Sequence, residues 1–286
     1  MKTARIKLII SMIIFGTLAP FVRNVSVSSG ELALYRALMA ILLIGTYLFL
    51  TKQKTDFGKI KKELPLLIIS GAAMGINWIL LFEAYKYTTV SIATLSYYFA
   101  PVIVTVLCPI LFREKLGLKQ IICFVMSTLG IVLITGISTG GSSDFTGILF
   151  GLGAAMFYAT VMILNKYIKN TEGLSRTIWQ FAGAIVVLLP YVLLTDGISL
   201  CSVDLFGFSN LIIVGVVHTG VAYVLYFSSL KDLPGQKTAI LSYIDPLVAV
   251  FISVTILGEA MTFTQIAGGA LILGFTMYNE LSGNRK

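Results

Sequence analysis

Apolar residues run along this chain in blocks of about twenty, and short polar breaks between the blocks hold most of the charge. A membrane-crossing helix needs about 20 mostly apolar residues, because each adds about 1.5 Å against a hydrocarbon core roughly 30 Å thick. Ten blocks meet that length: 6–22, 31–50, 64–84, 91–111 and 118–137, then 145–165, 176–195, 209–229, 238–257 and 264–281. The pattern predicts an all-α membrane protein of ten transmembrane helices, with no stretch left for a soluble domain.

Composition agrees with that solvent. Of 286 residues, 57% are hydrophobic and 12% charged, with a mean hydropathy of +0.93. Ordinary globular domains hold roughly 45–50% apolar and 25% charged residues. A soluble enzyme, a disordered tail and a disulfide-stapled module are excluded. Cys108, Cys123 and Cys201 show no metal or CxxC spacing.

The net charge of +8 has a topological cause. Basic residues cluster before the first block and after the second, fourth, sixth, eighth and tenth, which puts 18 of the 21 on one face. The opposite face has Arg23 and Lys86, and Arg36 lies inside a block. By the positive-inside rule both termini are expected in the cytoplasm. The first block has a basic flank but no small-residue cleavage pattern, so it reads as a retained helix. The Asn24-Val25-Ser26 triplet is too short to carry weight.

Sliding the chain on itself by 145 positions aligns the third through fifth blocks with the eighth through tenth without a gap. Gly75, Phe82, Lys86, Tyr98, Pro101, Glu114 and Gln120 fall on Gly220, Phe227, Lys231, Tyr243, Pro246, Glu259 and Gln265. Each half has an odd number of helices, five, so the second copy enters the bilayer from the other side. Such inverted repeats place a substrate site near the midplane, between the halves, with access alternating as one half rocks against the other.

Two motif copies carry a family resemblance: Ser96-Tyr97-Tyr98-Phe99-Ala100-Pro101 with Glu114, and Leu241-Ser242-Tyr243-Ile244-Asp245-Pro246 with Glu259. Each pairs a proline in the fourth helix with a glutamate thirteen positions later. Together with the two five-helix halves, 1–139 and 140–286, they resemble the EamA-like branch of the drug/metabolite transporter superfamily. The resemblance implies a plasma-membrane secondary transporter with a central cavity, moving amino acids or other small metabolites, often outward. Drugs, amines or lipids stay open as substrates, and a channel or scaffold subunit is the alternative outside the class.

Pro101 and Pro246 each remove a mid-helix donor, so kinks are expected there, as hinges or as packing features. Glu114 and Glu259, at mirrored span ends, read as gating contacts or as caps of the following helix.

Ionisable groups at membrane depth are costly and so point to a site. Asp245, close to mid-span, suits a substrate ammonium or a coupling proton. His218, the only histidine, falls near mid-span as well. Arg36 needs an anion, either a substrate carboxylate or Glu83, which otherwise pairs with Lys86. Glu31 sits at a span edge, where solvent is expected to reach it. Asn77, Trp78, Tyr97, Tyr98, Tyr158, Tyr223 and Tyr243 offer polar and aromatic wall material. Trp179 and Gln180 are expected near the cytoplasmic entrance, and Gly147, Gly151, Gly268 and Gly269 at helix contacts.

No phosphate-binding GxxxxGK[ST] loop, HExxH or GxSxG occurs. The expectation is a transporter and no enzyme, with no cofactor, metal or nucleic-acid partner. Its partners are a small-molecule substrate and the lipid bilayer, with proton coupling and oligomeric state left open.

Overall fold

In a computed structural model the described residues are 2–52, 57–112, 117–135, 142–171, 173–195, 197–230, 232–233, 238 and 241–283. Among them every regular element is helical. The first apolar block holds α1 (Lys2–Gly16) and α2 (Leu18–Arg23), with a break at Thr17. Next come α3 (Ser29–Leu50) and α4 (Phe57–Tyr87), then α5 (Val90–Tyr97) and α6 (Ala100–Phe112) within the fourth block. The fifth to seventh blocks are α7 (Leu118–Thr135), α8 (Ser142–Tyr167) and α9 (Gly173–Leu194). The eighth is composite: α10 (Leu205–Ile212), a π-helical run Ile213–Val221, and α11 (Ala222–Leu230). The chain ends with α12 (Ile244–Thr255) and α13 (Phe263–Gly283).

Among the described residues, seven stretches are long and apolar enough to cross a membrane. They are Lys2–Arg23, Ser29–Leu50, Ile60–Tyr87, Val90–Leu107, Asp144–Tyr167, Gly173–Leu194 and Leu205–Leu230; Leu118–Ile134 and Ile244–Thr255 are apolar but shorter. Large apolar side chains such as Leu42, Phe49, Leu193 and Phe251 are exposed on the outside of the bundle, as lipid-facing positions require.

Helix starts follow local chemistry. Ser28, Thr89 and Asp204 cap α3, α5 and α10 by accepting from the amides of Glu31, Ile92 and Gly207. The prolines end helices where kinks were expected. Pro101 sits in the first turn of α6 and Pro246 in the first turn of α12, each just after a break. A first-turn residue has no helical acceptor for its amide, so proline is tolerated there, while its ring disfavours continuing the helix that precedes it.

The core forms where α4 packs along α8 and α9, with α3 against α9. Phe82, Phe181 and Leu188 are completely enclosed there. Close backbone approach makes this contact possible: a Cβ on Gly71 would lie 2.0 Å from the Gln180 carbonyl, and one on Gly183 would lie 2.6 Å from that of Ile68. Elsewhere α7 packs on α13, and α1 on α11 and α12.

Two glutamates tie the halves together. Glu63 accepts from the amides of Lys169 and Asn170 at 2.8 and 2.9 Å, from Asn170 Nδ2 at 3.0 Å and from Thr171 Oγ1 at 2.7 Å. Glu31 accepts from the Ser199 amide at 2.7 Å, from its hydroxyl, and from Tyr35 at 2.7 Å. Glu31 was expected to be solvated; it is fully buried because the 199 loop folds over it and supplies its donors.

Candidate functional site

A cavity of about 140 Å³ lies where the interrupted helices converge. The α1 end forms one wall with Phe15 and Gly16, α2 adds Leu18 and Ala19, and α4 adds Trp78, Leu81 and Tyr85. From the second half come Tyr158, Tyr223, Asp245 and Ala249. The backbones are packed closely at its edge, since a Cβ on Gly16 would lie 2.6 Å from the Asp245 carbonyl oxygen.

Two side chains of opposite charge line this cavity. Arg36, on α3, is 4% exposed. Its Nε donates to Thr219 Oγ1 at 2.6 Å, and Thr219 in turn donates to the Val214 carbonyl at 3.0 Å, five residues back. That spacing belongs to the π-helical run, a form frequent at functional positions. The guanidinium lies 4.5 Å from the centre of the Trp78 ring and 5.7 Å from that of Phe82, four residues on along the same face of α4. No carboxylate among the described residues pairs with it; Glu83 instead takes Lys86 at 2.8 Å. Asp245 stands in the first turn of α12, where amides and helix dipole favour an anion, and accepts from the Tyr98 hydroxyl at 2.6 Å.

Aromatic rings join these charges. Tyr97 stacks on Tyr158 with centroids 5.2 Å apart and meets Tyr98 edge-on at 5.7 Å. Phe15 meets Tyr223 at 5.4 Å, and Phe181 links Trp78 with Tyr223 at 5.4 and 5.3 Å. The wall is apolar in its faces but carries hydroxyls, which suits a solute with both apolar and polar parts.

Beyond Asp245, at the far end of α12, the chain turns through Gly258, whose φ of 66° an L residue rarely adopts. The turn brings Glu259 back against the first half. One oxygen pairs with Arg23; the other accepts from the Val90 amide at 2.9 Å and from the Ser253 hydroxyl. Arg23 is also held by the Tyr85 and Thr88 carbonyls. Ten residues of helix, about 15 Å, separate this latch from Asp245.

Of the expected site residues, Arg36, Trp78, Tyr97, Tyr98, Tyr158, Tyr223 and Asp245 line the cavity. Three others do not. His218 is buried behind the wall, between Thr17 at 3.2 Å, the Ile213 carbonyl at 3.3 Å and the Phe21 ring. Asn77 faces α8 and donates to the Ala154 carbonyl at 2.7 Å. Tyr243 is buried outside the lining. Position along the apolar blocks selected all three, but azimuth around the helix decides what they face. Gln180 is likewise internal, bridging Ser70 and Asn165 rather than lining an entrance. Glu114 lies outside the described residues.

Sequence reasoning missed Phe15, Gly16, Tyr85, Thr219 and the partner of Glu259. Arg23 reads from the sequence only as one of two basic residues on the face opposite the basic rim, and that isolation was the signal available.

The model of the EamA-like transporter family matches residues 3–136 and again 145–279. The chain is 32% identical over 280 residues to a protein named "Uncharacterized transporter YxxF" from Bacillus subtilis, covering 95% of this chain and 87% of that one. It is 25% identical over 250 residues to a "Probable amino-acid metabolite efflux pump" from Salmonella typhimurium, covering 82% and 83%. A solved crystal structure shares the fold at a TM-score of 0.68, covering 99% of each chain at 14% identity.

Proposed function

The chain belongs to the EamA-like transporter family and is a multi-pass membrane protein; from that premise we propose that it moves a small amino-acid-like metabolite by alternating access, as an exporter or exchanger. The observation that carries this reading is Arg36: a buried guanidinium on the cavity wall with no carboxylate partner among the described residues. An unpaired buried cation costs several kcal/mol, and ring contacts return only about 0.5–2 kcal/mol. A solute carboxylate supplies the remainder. Asp245, on the same cavity, takes the solute ammonium, and the tyrosines hold its side chain.

The size of the central cavity supports the metabolite reading over the drug reading. The cavity of about 140 Å³ is well below the roughly 300–1,000 Å³ of pockets for drug-sized ligands. The relative named as an amino-acid metabolite efflux pump supports the same choice.

Ten crossings in two inverted halves, 1–139 and 140–286, with both termini cytoplasmic, account for the basic-residue pattern and for the doubled family match. The Arg23–Glu259 latch then closes the outer face; Glu114, its counterpart 145 positions earlier in the sequence, lies outside the described residues. The proline breaks let each half bend without breaking helical hydrogen bonds elsewhere.

Thermal stabilisation of the purified protein by amino acids and by their carboxamides tests the assignment of Arg36. Amino acids should raise the melting temperature of the native protein and carboxamides should not; Arg36→Gln should weaken the response to amino acids. Equal stabilisation by both series would remove the carboxylate from the site.

A further inference from the structure

A second cavity, of about 390 Å³, lies at the Arg23 end of the molecule, and Arg23, Val27, Ser29, Phe82, Tyr85 and Lys86 are among its walls. It adjoins the central cavity. Tyr85 lines both, and Phe82, which lines the outer one, stacks on Arg36. Ser29 is 3% exposed, and its hydroxyl has no hydrogen-bond partner among the described residues. A buried donor left unsatisfied is a cost that a polar ligand removes.

The charges here are the two cations that stand apart from the basic rim, Arg23 and Lys86. In the closed arrangement Glu259 neutralises Arg23 and Glu83 neutralises Lys86. The two pairs differ in kind. Glu83 and Lys86 are three residues apart on α4 and travel together, whereas Arg23 and Glu259 belong to different halves. Parting the halves at this face therefore leaves Arg23 beside the cavity without its anion.

We infer that the outer cavity is a second solute site for a carboxylate, where Arg23 exchanges Glu259 for the solute carboxylate and Ser29 and Lys86 complete the shell. This rests on the transporter reading above and adds a staging post to it: a solute leaving Arg36 passes Tyr85 and is received by Arg23. The arriving carboxylate releases the latch, so outward opening is coupled to occupancy.

Thiol labelling tests the site without knowledge of the solute. Ser29→Cys and, separately, Val27→Cys are placed in a background with Cys108, Cys123 and Cys201 changed to serine, in phosphatidylcholine nanodiscs. Each is treated with a sulfonate-bearing or a trimethylammonium-bearing methanethiosulfonate, with rates normalised to a free thiol. The sulfonate reagent should react about fivefold faster or more. Glu259→Gln should increase that preference by freeing Arg23, and Lys86→Gln should reduce it. A mixture of the common amino acids should protect the cysteine.

No reaction at either cysteine, or equal rates for the two reagents, would overturn the inference. So would protection by phosphatidylglycerol in the disc without protection by amino acids, which would assign the cations to a lipid headgroup. Arg36→Gln should leave the labelling preference intact. Retained preference with no effect of Arg36→Gln on ligand stabilisation would refute the central site alone.

Discussion

The Tyr98 hydroxyl donates to the Asp245 carboxylate at 2.6 Å, and this bond joins the break between α5 and α6 to the break that opens α12. The two motif copies therefore meet across the cavity. Tyr98→Phe keeps the ring and removes the donor. A hydrogen bond to a charged group contributes about 1.5–3 kcal/mol, so half-saturation for the solute should rise by roughly tenfold or more, read from transport kinetics in proteoliposomes. Tyr97→Phe, whose ring stacks on Tyr158, should change it much less.

Arg36 is held by geometry as well as charge. Its planar guanidinium fits between Thr219 and the Trp78 and Phe82 rings, and a lysine ammonium offers neither the fork nor the stacking face. Arg36→Lys should therefore weaken solute binding by about tenfold or more despite the conserved charge. Calorimetric titration checks this, with wild-type affinity as the contrary result.

The outer latch should respond to charge exchange. Glu259→Gln loses an ion pair and weakens a cap on Val90, worth about 1–3 kcal/mol together. Outward-open molecules should increase by about fivefold or more, seen as faster labelling of Ala249→Cys in the cavity wall. The double change Arg23→Glu with Glu259→Arg should restore part of the closed population, and either change alone should not.

Glu63 is a structural clamp. Replacing it with alanine leaves four donors around Lys169–Thr171 without their acceptor. The loss should exceed about 2 kcal/mol, lowering the melting temperature by several degrees while leaving ligand selectivity unchanged. His218→Gln belongs to the same class, because His218 contacts Thr17 and Ile213 rather than the cavity. It should lower stability with unchanged half-saturation.

The helical blocks were legible in the sequence because lipid imposes a simple demand: a long apolar run with its backbone bonds closed internally. The break at Thr17 was not read, although Pro20 carries the signal: it has no amide for the Gly16 carbonyl four residues back. Nor was the π-helical run, whose register is tied to His218 and Thr219 reaching carbonyls five residues back. For the site, depth selected Arg36 and Asp245, which line the central cavity. Depth also selected Asn77 and His218, which spend their hydrogen bonds on neighbouring helices. Hydropathy carries position along the membrane normal and little about direction around it.

The most direct test is counterflow of labelled amino acids in proteoliposomes, comparing the native protein with Arg36→Gln and Asp245→Asn, each first shown to be folded by thermal melting. The native protein should accumulate label transiently and saturably when loaded with unlabelled solute, and both variants should lose that accumulation. Saturable counterflow at the native rate in both variants would contradict a zwitterion held between Arg36 and Asp245.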